Sequence, residues 1–544
     1  MNDRPLLTIQ QTHLNPRAPE RASGGERANR QLAAPGAFER LQRSVGWQLA
    51  RQQTRSLCRA LAAAVSLALL AAGCTLAPKY TRPAAPIPAQ WPTGPAYEQA
   101  AGGANAPSGS DLEWQAFFTD PKLQQVIGRA LTNNRDLRLA ALNVELARAL
   151  YGIQRDQLYP AVSAQAGSSK QRASADLTQA NQPRTTERYD VNLGLLAWEV
   201  DFFGRIRSLK DRALQEYLAS EHARRGAQTL LISSVANAYL ALAADREALA
   251  LAQTTLQTQQ AAYNLVQHQY AVGVATELDL RQAQTPLEVA RRDIAVYTQR
   301  VAQDENALNL LVGAPLPANL LPADLGRVRP PSDIAPGLPS DVLLRRPDVL
   351  QAEAQLLAAH ADIGAARAAF FPRIALTATL GTASDELSRL FKSGAGTWSY
   401  APQLVLPIFD ARTWSALKAS KVQQKVAVAA YERAIQNAFR DVADALAARG
   451  TVDQQVAAQQ SLVHALAESH RLATARYEKG IDSYLAVLDA QRSLFAAQQT
   501  LVALRRAQVA TQVNLYSALG GGGQDNESFA AAAPARFPAE RARQ

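Results

Sequence analysis

The groups in this chain that could carry chemistry are few and scattered. Beyond the N-terminal region the histidines are His222, His268, His360, His464 and His470, none beside a cysteine at metal-ligand spacing. His464 and His470 are six residues apart and so miss a shared i, i+4 helix face; solvated surface is the plain reading for these side chains. No glycine-rich phosphate loop and no nucleophile–base arrangement is present, so no catalytic site and no metal site is expected. One charged group stands out. Leu485, Asp489 and Arg492 are spaced by four and three residues and share a helix face. In one chain, Asp489 and Arg492 would be an ordinary exposed pair worth roughly a few tenths of a kcal/mol.

The helix holding this group follows a sharp turn, Tyr477-Glu478-Lys479-Gly480-Ile481-Asp482-Ser483. Gly480 supplies the reversal because glycine takes positive φ without steric cost. Ser483 is placed to cap the returning helix. The stretch occurs twice: Tyr270, Gly273, Leu278, Ala283, Gln284 and Leu287 recur 207 residues later as Tyr477, Gly480, Leu485, Ala490, Gln491 and Leu494. The runs 205–270 and 412–477 hold no proline and have equal length, each roughly 100 Å as a helix. Equal length with little identity is what a tube demands, because both helices must reach one plane. The copies are not equivalent, since Gln282 stands where the second has Asp489.

Around these helices the pattern changes. Asp120-Pro121 starts a helix that runs, with a break near Asn133-Asn134, to Tyr159, where Pro160 ends it. Val162, Ala164 and Ala166 then alternate with polar residues as a strand; 170–187 reads as a loop; Tyr189, Val191, Leu193, Leu195 and Ala197 form a second strand. The return helix after the first tip reaches about Gly313, with a bend expected at Pro286. A proline-rich stretch covers 314–340, after which the order repeats: a helix to Phe371, a strand with Ile374, Leu376, Ala378 and Leu380, a short loop over 384–396, and a fourth strand from Trp398 to Phe409. Strands of this length suit a tilted membrane strand of about 9–11 residues. Four cannot close a barrel, so several chains must share one.

Composition agrees with long helices: charged residues are 19% and aromatics 6% of the chain. The net charge of +10 is uneven, with +6 in residues 1–73 (ten Arg against Asp3, Glu20, Glu26 and Glu39). The remaining helices mix signs without a basic stripe, which speaks against nucleic acid as a partner. Arg51, Arg55 and Arg59 precede an apolar run from Leu61 to Ala72, the form of a secretory signal and too short to span a bilayer. Its end, Leu70-Ala71-Ala72-Gly73-Cys74, resembles a bacterial lipobox with alanine in place of leucine at Ala71. That resemblance implies diacylglycerol and an N-acyl chain on Cys74, a stable anchor, and Thr75 after it implies the outer membrane. Residues 75–110 read as an extended tether and 520–544 as a disordered tail.

Three further motifs carry a family resemblance: Cys74-Thr75-Leu76-Ala77-Pro78-Lys79-Tyr80; Trp198-Glu199-Val200-Asp201-Phe202-Phe203-Gly204-Arg205; and Gly337-Leu338-Pro339-Ser340-Asp341-Val342-Leu343-Leu344-Arg345-Arg346-Pro347-Asp348. Over about residues 74–519 the chain resembles the TolC-like outer membrane factors of the OprM/NodT branch. The resemblance implies a mainly α protein with a membrane β-barrel: a homotrimer whose 12-stranded barrel, four strands per chain, continues as a long periplasmic α-helical barrel. It implies an outer-membrane efflux duct, passive and not an enzyme, fed by an inner-membrane resistance-nodulation-division pump through a periplasmic adaptor. In that frame Leu485, Asp489 and Arg492 form the periplasmic gate. Tyr270, Gly273, Val274, Thr276, Tyr477, Gly480, Ile481 and Ser483 form the adaptor-docking tips. The layout is then signal and extension to 73, tether 74–110, first repeat 111–313, linker 314–340, second repeat 341–519 and tail 520–544. A type I protein-secretion or metal-cation channel, or a lipid-anchored coiled-coil protein with no pore, remain the alternatives.

Overall fold

The computed structural model describes residues 75–97, 112–179, 182–337 and 339–521. The signal, Cys74 and most of the tail lie outside these residues.

The short helix α1 (Trp114–Phe117) leads into α2 (Pro121–Asn133) and α3 (Arg135–Asp156). The expected break falls at Asn134, whose side-chain oxygen accepts from Leu137 N (2.8 Å) and caps α3 while its amide donates to Leu311 O (2.8 Å). After strands β1 (Val162–Arg172) and β2 (Thr185–Val200) come α4 (Arg205–Ala271, 67 residues) and α5 (Glu277–Val312). Helix α5 is continuous through Pro286. The second half holds α6 (Pro339–Leu343), α7 (Pro347–Ala368), β3 (Arg373–Ser384), β4 (Gly396–Val405), α8 (Ala411–Glu478, 68 residues) and α9 (Tyr484–Ala518). Helix α6 begins inside the stretch read as linker.

The four strands form one antiparallel sheet in the order β1-β2-β3-β4. Rows at mid-sheet keep one character. Ala164, Leu193, Leu380 and Trp398 stand side by side on one face, and Gln165, Asn192, Gly381 and Thr397 on the other. Leu193, Leu380, Trp398, Tyr400 and Leu404 are all more than half exposed, so the apolar face is bare. On the polar face Thr379 and Ser399 share a hydroxyl hydrogen bond of 2.6 Å. A Cβ at Gly381 would fall 2.1 Å from Val191 O, so this close approach of strands admits only glycine.

Three expectations about the strands need correction. The loop is shorter than 170–187, because its two ends belong to the strands: Lys170 pairs with Glu187 and Arg172 with Thr185, since polar side chains do not prevent a ladder whose two faces are both wet. The alternation in β2 stops at Leu195. A bulge between Leu195 and Trp198, with Ala197 at φ 51°, inserts one residue, so that Trp198 and Val200 stay beside Leu376 and Ile374. The same bulge turns Glu199 away from the apolar face, and Glu199 binds Arg205 with two hydrogen bonds of 2.8 and 2.7 Å. The fourth strand ends at Val405 rather than Phe409, since Pro407 has no N–H for a ladder.

In the helical layer α3 packs on α4, α4 on α7, and α7 on α8, repeating the strand order. Part of α4 is apolar enough to cross a membrane, with a mean hydropathy of 1.3, but 61% of that window is buried in protein, as in a core helix. The main core gathers midway along the helices around Phe117, Phe118, Tyr239, Tyr431, Leu343 and Tyr516, with Phe117 and Tyr516 stacked at 4.1 Å. Arg346 explains the Arg-Arg-Pro-Asp signature. Its guanidinium donates to Ala518 O (2.6 Å), an otherwise orphaned carbonyl at the end of α9, and pairs with Asp348 at the start of α7 (2.8 Å).

Residues 75–97 lack regular structure, as expected, but are strapped onto the helices. Arg82 grips Glu353 of α7 with bonds of 2.7 and 2.6 Å, and Tyr80 donates to the same carboxylate at 3.0 Å. Burial, then the bond to Glu353, pushes the Tyr80 hydroxyl up to about 12. Trp91 stacks on Phe439 at 5.2 Å and donates to Gly337 O. Glu353 is only 8% exposed, whereas half of the Arg82 side chain is in water. Arg82→Ala should therefore strand a nearly buried carboxylate and cost on the order of 2 kcal/mol, below the 3–5 of a fully buried pair. Thermal unfolding in detergent should show a lower midpoint, partly restored in Arg82→Ala/Glu353→Leu; an unchanged midpoint would mean the strap contributes nothing.

Candidate functional site

At the far end from the sheet the two hairpins meet. Helix α4 ends with Val274 N donating to Gln269 O (2.8 Å) and Gly273 N to Tyr270 O (3.0 Å), Gly273 being at φ 82°. In the second copy Ile481 N donates to Arg476 O (3.0 Å) and Gly480 N to Tyr477 O (2.9 Å), with Gly480 at φ 70°. The same two bonds at matching positions make the sequence duplication a geometric one.

The exits from the turns differ. Thr276 and Asp279 form a reciprocal capping box: Asp279 N donates to the Thr276 hydroxyl (3.2 Å) and Thr276 N to the Asp279 carboxylate (2.9 Å). The Thr276 hydroxyl, which also donates to that carboxylate (2.7 Å), and then the Thr276 N–H hold the Asp279 carboxyl below the usual carboxylate range. Ser483 makes no cap bond, contrary to expectation. The second turn is clamped instead by Arg476 and Asp482 (2.5 and 3.1 Å), and the arginine holds the Asp482 carboxyl low.

Val272, Val274, Ile481 and Tyr270 are exposed at the tips, Val274 by 77%. Tyr477 lies half-buried between the hairpins, donating to Gln269 Oε1 (3.1 Å) with its ring 5.1 Å from Tyr484. A small core of Val266, Ala283, Tyr484, Val487 and Leu488 locks the hairpins together behind the turns. The tips thus present apolar side chains on a braced support, the form of a protein-docking surface.

Leu485, Asp489 and Arg492 lie on an exposed face of α9 that adjoins the buried Tyr484, Val487, Leu488 and Gln491. Asp489 and Arg492 are a loose pair at 3.6 Å, 60% and 74% exposed. Asp489 stands about 7.5 Å along α9 from Tyr484 at its start. The structure brings these three side chains together and leaves their face open.

The histidines are less exposed than the sequence suggests. His222, His360 and His470 are partly buried, and burial pushes each ring's pKa down, so they pack as neutral rings; His268 and His464 are exposed. One feature had no sequence signal. A cavity of about 860 Å³ near the level of the main core is lined by Ser233, Ser234 and Asn237 of α4, Asp441 and Asp444 of α8, and Asn514 of α9. These small polar residues come from separate helices, so no local motif marks them.

Residues 126–314 and 338–521 match the sequence profile of a family described as outer membrane efflux protein. The chain is 48% identical over 478 residues to the toluene efflux pump outer membrane protein TtgC of Pseudomonas putida, covering 86% of this chain and 97% of that one. It is 42% identical over 469 residues to outer membrane protein OprJ of Pseudomonas aeruginosa, covering 86% and 96%. Among solved structures, the open state of the Neisseria gonorrhoeae MtrE outer membrane channel superposes with a TM-score of 0.74 at 38% identity, covering 83% of this chain and 99% of that one. A membrane protein from Pseudomonas aeruginosa gives 0.77 at 42% identity, covering 82% and 98%.

The unequal exits give a direct test. Thr276→Ala removes a cap worth about 1 kcal/mol and should speed limited proteolysis at the first tip, whereas Ser483→Ala should leave the second unchanged. Equal effects at both tips would contradict the capping difference.

Proposed function

The chain belongs to the outer membrane efflux protein family, and from that premise we propose that it is the passive exit duct of a tripartite efflux machine. It is an outer-membrane efflux channel, a transporter component. In the proposed assembly three copies pool their sheets into one 12-stranded barrel. An adaptor docks on the tips around Gly273 and Gly480, and an inner-membrane pump of the resistance-nodulation-division class supplies the energy.

The observation that carries this reading is the sheet. It has a bare apolar face, a polar face and two unpaired edges, and it is joined to paired helices of 67 and 68 residues that end at adjoining tips. An apolar face of this kind belongs in lipid, and unpaired edges are not tolerated there. With four strands per copy, β1 of the next copy meets β4 antiparallel, so the ladder continues unbroken around the ring.

The lipid anchor on Cys74 fits the strap. Arg367, near the end of α7 and six residues before β3, donates to Leu76 O (3.0 Å), which ties the start of the strap to the sheet end of α7. The relatives named for toluene, antibiotic and solvent pumps favour small organic molecules as cargo. Three copies of Asp489 on an open helix face, each loosely held by Arg492, would give the gate a cation-attracting constriction.

Deleting the gene should raise sensitivity to organic solvents, dyes and antibiotics, with restoration by the wild-type chain; unaltered sensitivity to all of them would sink the reading. Asp489→Ala should raise single-channel conductance and reduce cation preference in planar bilayers. Wild-type conductance and selectivity would remove Asp489 from the gate.

A further inference from the structure

Strand β4 ends, but its apolar exposure continues into α8. Beyond Leu404 the chain stays bare: Ile408 is 92% exposed, Phe409 91% and Trp414 68%. Trp414 meets Phe370 edge-on at 4.8 Å, which holds its ring at the start of α8.

Directly after this apolar group α8 turns basic. Lys418, Lys421 and Lys425 are exposed and follow at spacings of three and four, on one face. None of them forms an ion pair among the described residues. From Ala411 to Tyr431 the helix holds no acidic residue, the first being Glu432. Solvated faces elsewhere in this chain mix signs, as in Arg212–Glu216, Arg281–Glu277 and Arg471–Glu468. The three lysines lack such local partners, so their charge is left for something outside the chain.

Their face is the outer one. Lys418 and Lys425 are seven residues apart, Phe439 follows fourteen later and Gly450 eleven after that, so all four share one side of α8. The strap runs on that side: Trp91 stacks on Phe439 at 5.2 Å, and a Cβ at Gly450 would fall 2.1 Å from Ala96 O. A segment leading back to an anchor residue at Cys74 belongs outside a tube, not in its bore. Asp441, Asp444 and Ala448, which line the cavity, lie on the opposite side of the helix, two, five and nine residues from Phe439.

The direction also fits. Helix side chains lean toward the N-terminus, here toward the sheet. Lys418 stands about 6 Å along the helix from Trp414 and Lys425 about 16 Å, and a lysine stem carries its ammonium further toward a polar layer. Aromatic residues at a membrane boundary with unpaired cations just beyond them form the arrangement that an anionic leaflet attracts.

We propose that this outer face of α8 docks on the periplasmic leaflet of the outer membrane and binds its anionic lipid headgroups. Ile408, Phe409 and Trp414 enter the interfacial layer, and Lys418, Lys421 and Lys425 receive the headgroup phosphates. The occupant is lipid because the patch continues the apolar sheet face without a gap and carries charge of one sign. This rests on the proposed insertion of the shared barrel and adds a lipid preference to it.

The test is native mass spectrometry of the purified protein, with phosphatidylglycerol and phosphatidylcholine titrated in parallel. The wild type should hold phosphatidylglycerol about tenfold more tightly than phosphatidylcholine. Lys418→Gln/Lys421→Gln/Lys425→Gln should lose most of that preference, and Lys418→Arg/Lys421→Arg/Lys425→Arg should keep it. Equal binding of both lipids by the wild type, or an undiminished preference in the glutamine variant, overturns the proposal. So does displacement of phosphatidylglycerol by equimolar inorganic phosphate, which would make the patch a site for free anions. Planar-bilayer recordings of the same preparations separate this from the duct reading. Wild-type channels without a lipid preference leave the duct standing and sink the lipid site. Altered anion–cation selectivity in the glutamine variant puts the lysines in the bore and overturns the outer-face assignment. Absence of channels from the wild type removes the inserted barrel and the proposal with it.

Discussion

Everything in this protein depends on the unpaired backbone of two strand edges. Among the described residues, strands β1 and β4 each present an edge row of N–H and C=O groups with no strand partner. In water such edges are tolerable, but in hydrocarbon each unmatched group costs several kcal/mol. The apolar rows led by Leu193, Leu380 and Trp398 pull the sheet into lipid, and the edges forbid it to enter alone. In the proposed assembly other copies resolve that conflict, and the protomer is a segment of a larger closed structure. The bulge at Ala197 serves the same end, since one inserted residue keeps Trp198 with the apolar rows and Glu199 off them.

The long helices carry that ring geometry away from the membrane. Their equal lengths bring two hairpins to one level, where Tyr477, Gln269 and the core around Val487 tie them together. The tips are built on one backbone plan with different clamps, a Thr276–Asp279 box in one and an Arg476–Asp482 pair in the other. Asp489 against Gln282 adds a second difference. A duplicated scaffold has thereby acquired two inequivalent hairpins per chain.

Midway between sheet and tips, rigidity comes from buried charge. Arg346 closes the end of α9 onto the start of α7, and Arg82 and Tyr80 close the strap onto Glu353. Both arrangements satisfy groups that would otherwise be costly to bury. Arg346 and Asp348 also line the cavity between α4, α8 and α9.

The amino-acid sequence by itself determined the local features: helix lengths, since no proline interrupts 205–270 or 412–477; the turns at Gly273 and Gly480; the break at Asn134; and which strand residues are apolar. These follow from backbone preferences and periodicity, which act within a few residues and can be read along the chain. The family was legible too, through motifs such as Arg345-Arg346-Pro347-Asp348. Tertiary structure alone decided the rest. Ser483 looks like a cap, but Arg476 and Asp482 close that turn. Pro407 and the bulge reset the strand bounds, and burial lowers the pKa of His222, His360 and His470. The cavity and the strap draw on residues more than a hundred positions apart, which only the fold brings within reach. So the gate cluster Leu485, Asp489 and Arg492 could be placed on one face from spacing, whereas what that face looks onto is decided by how the copies close.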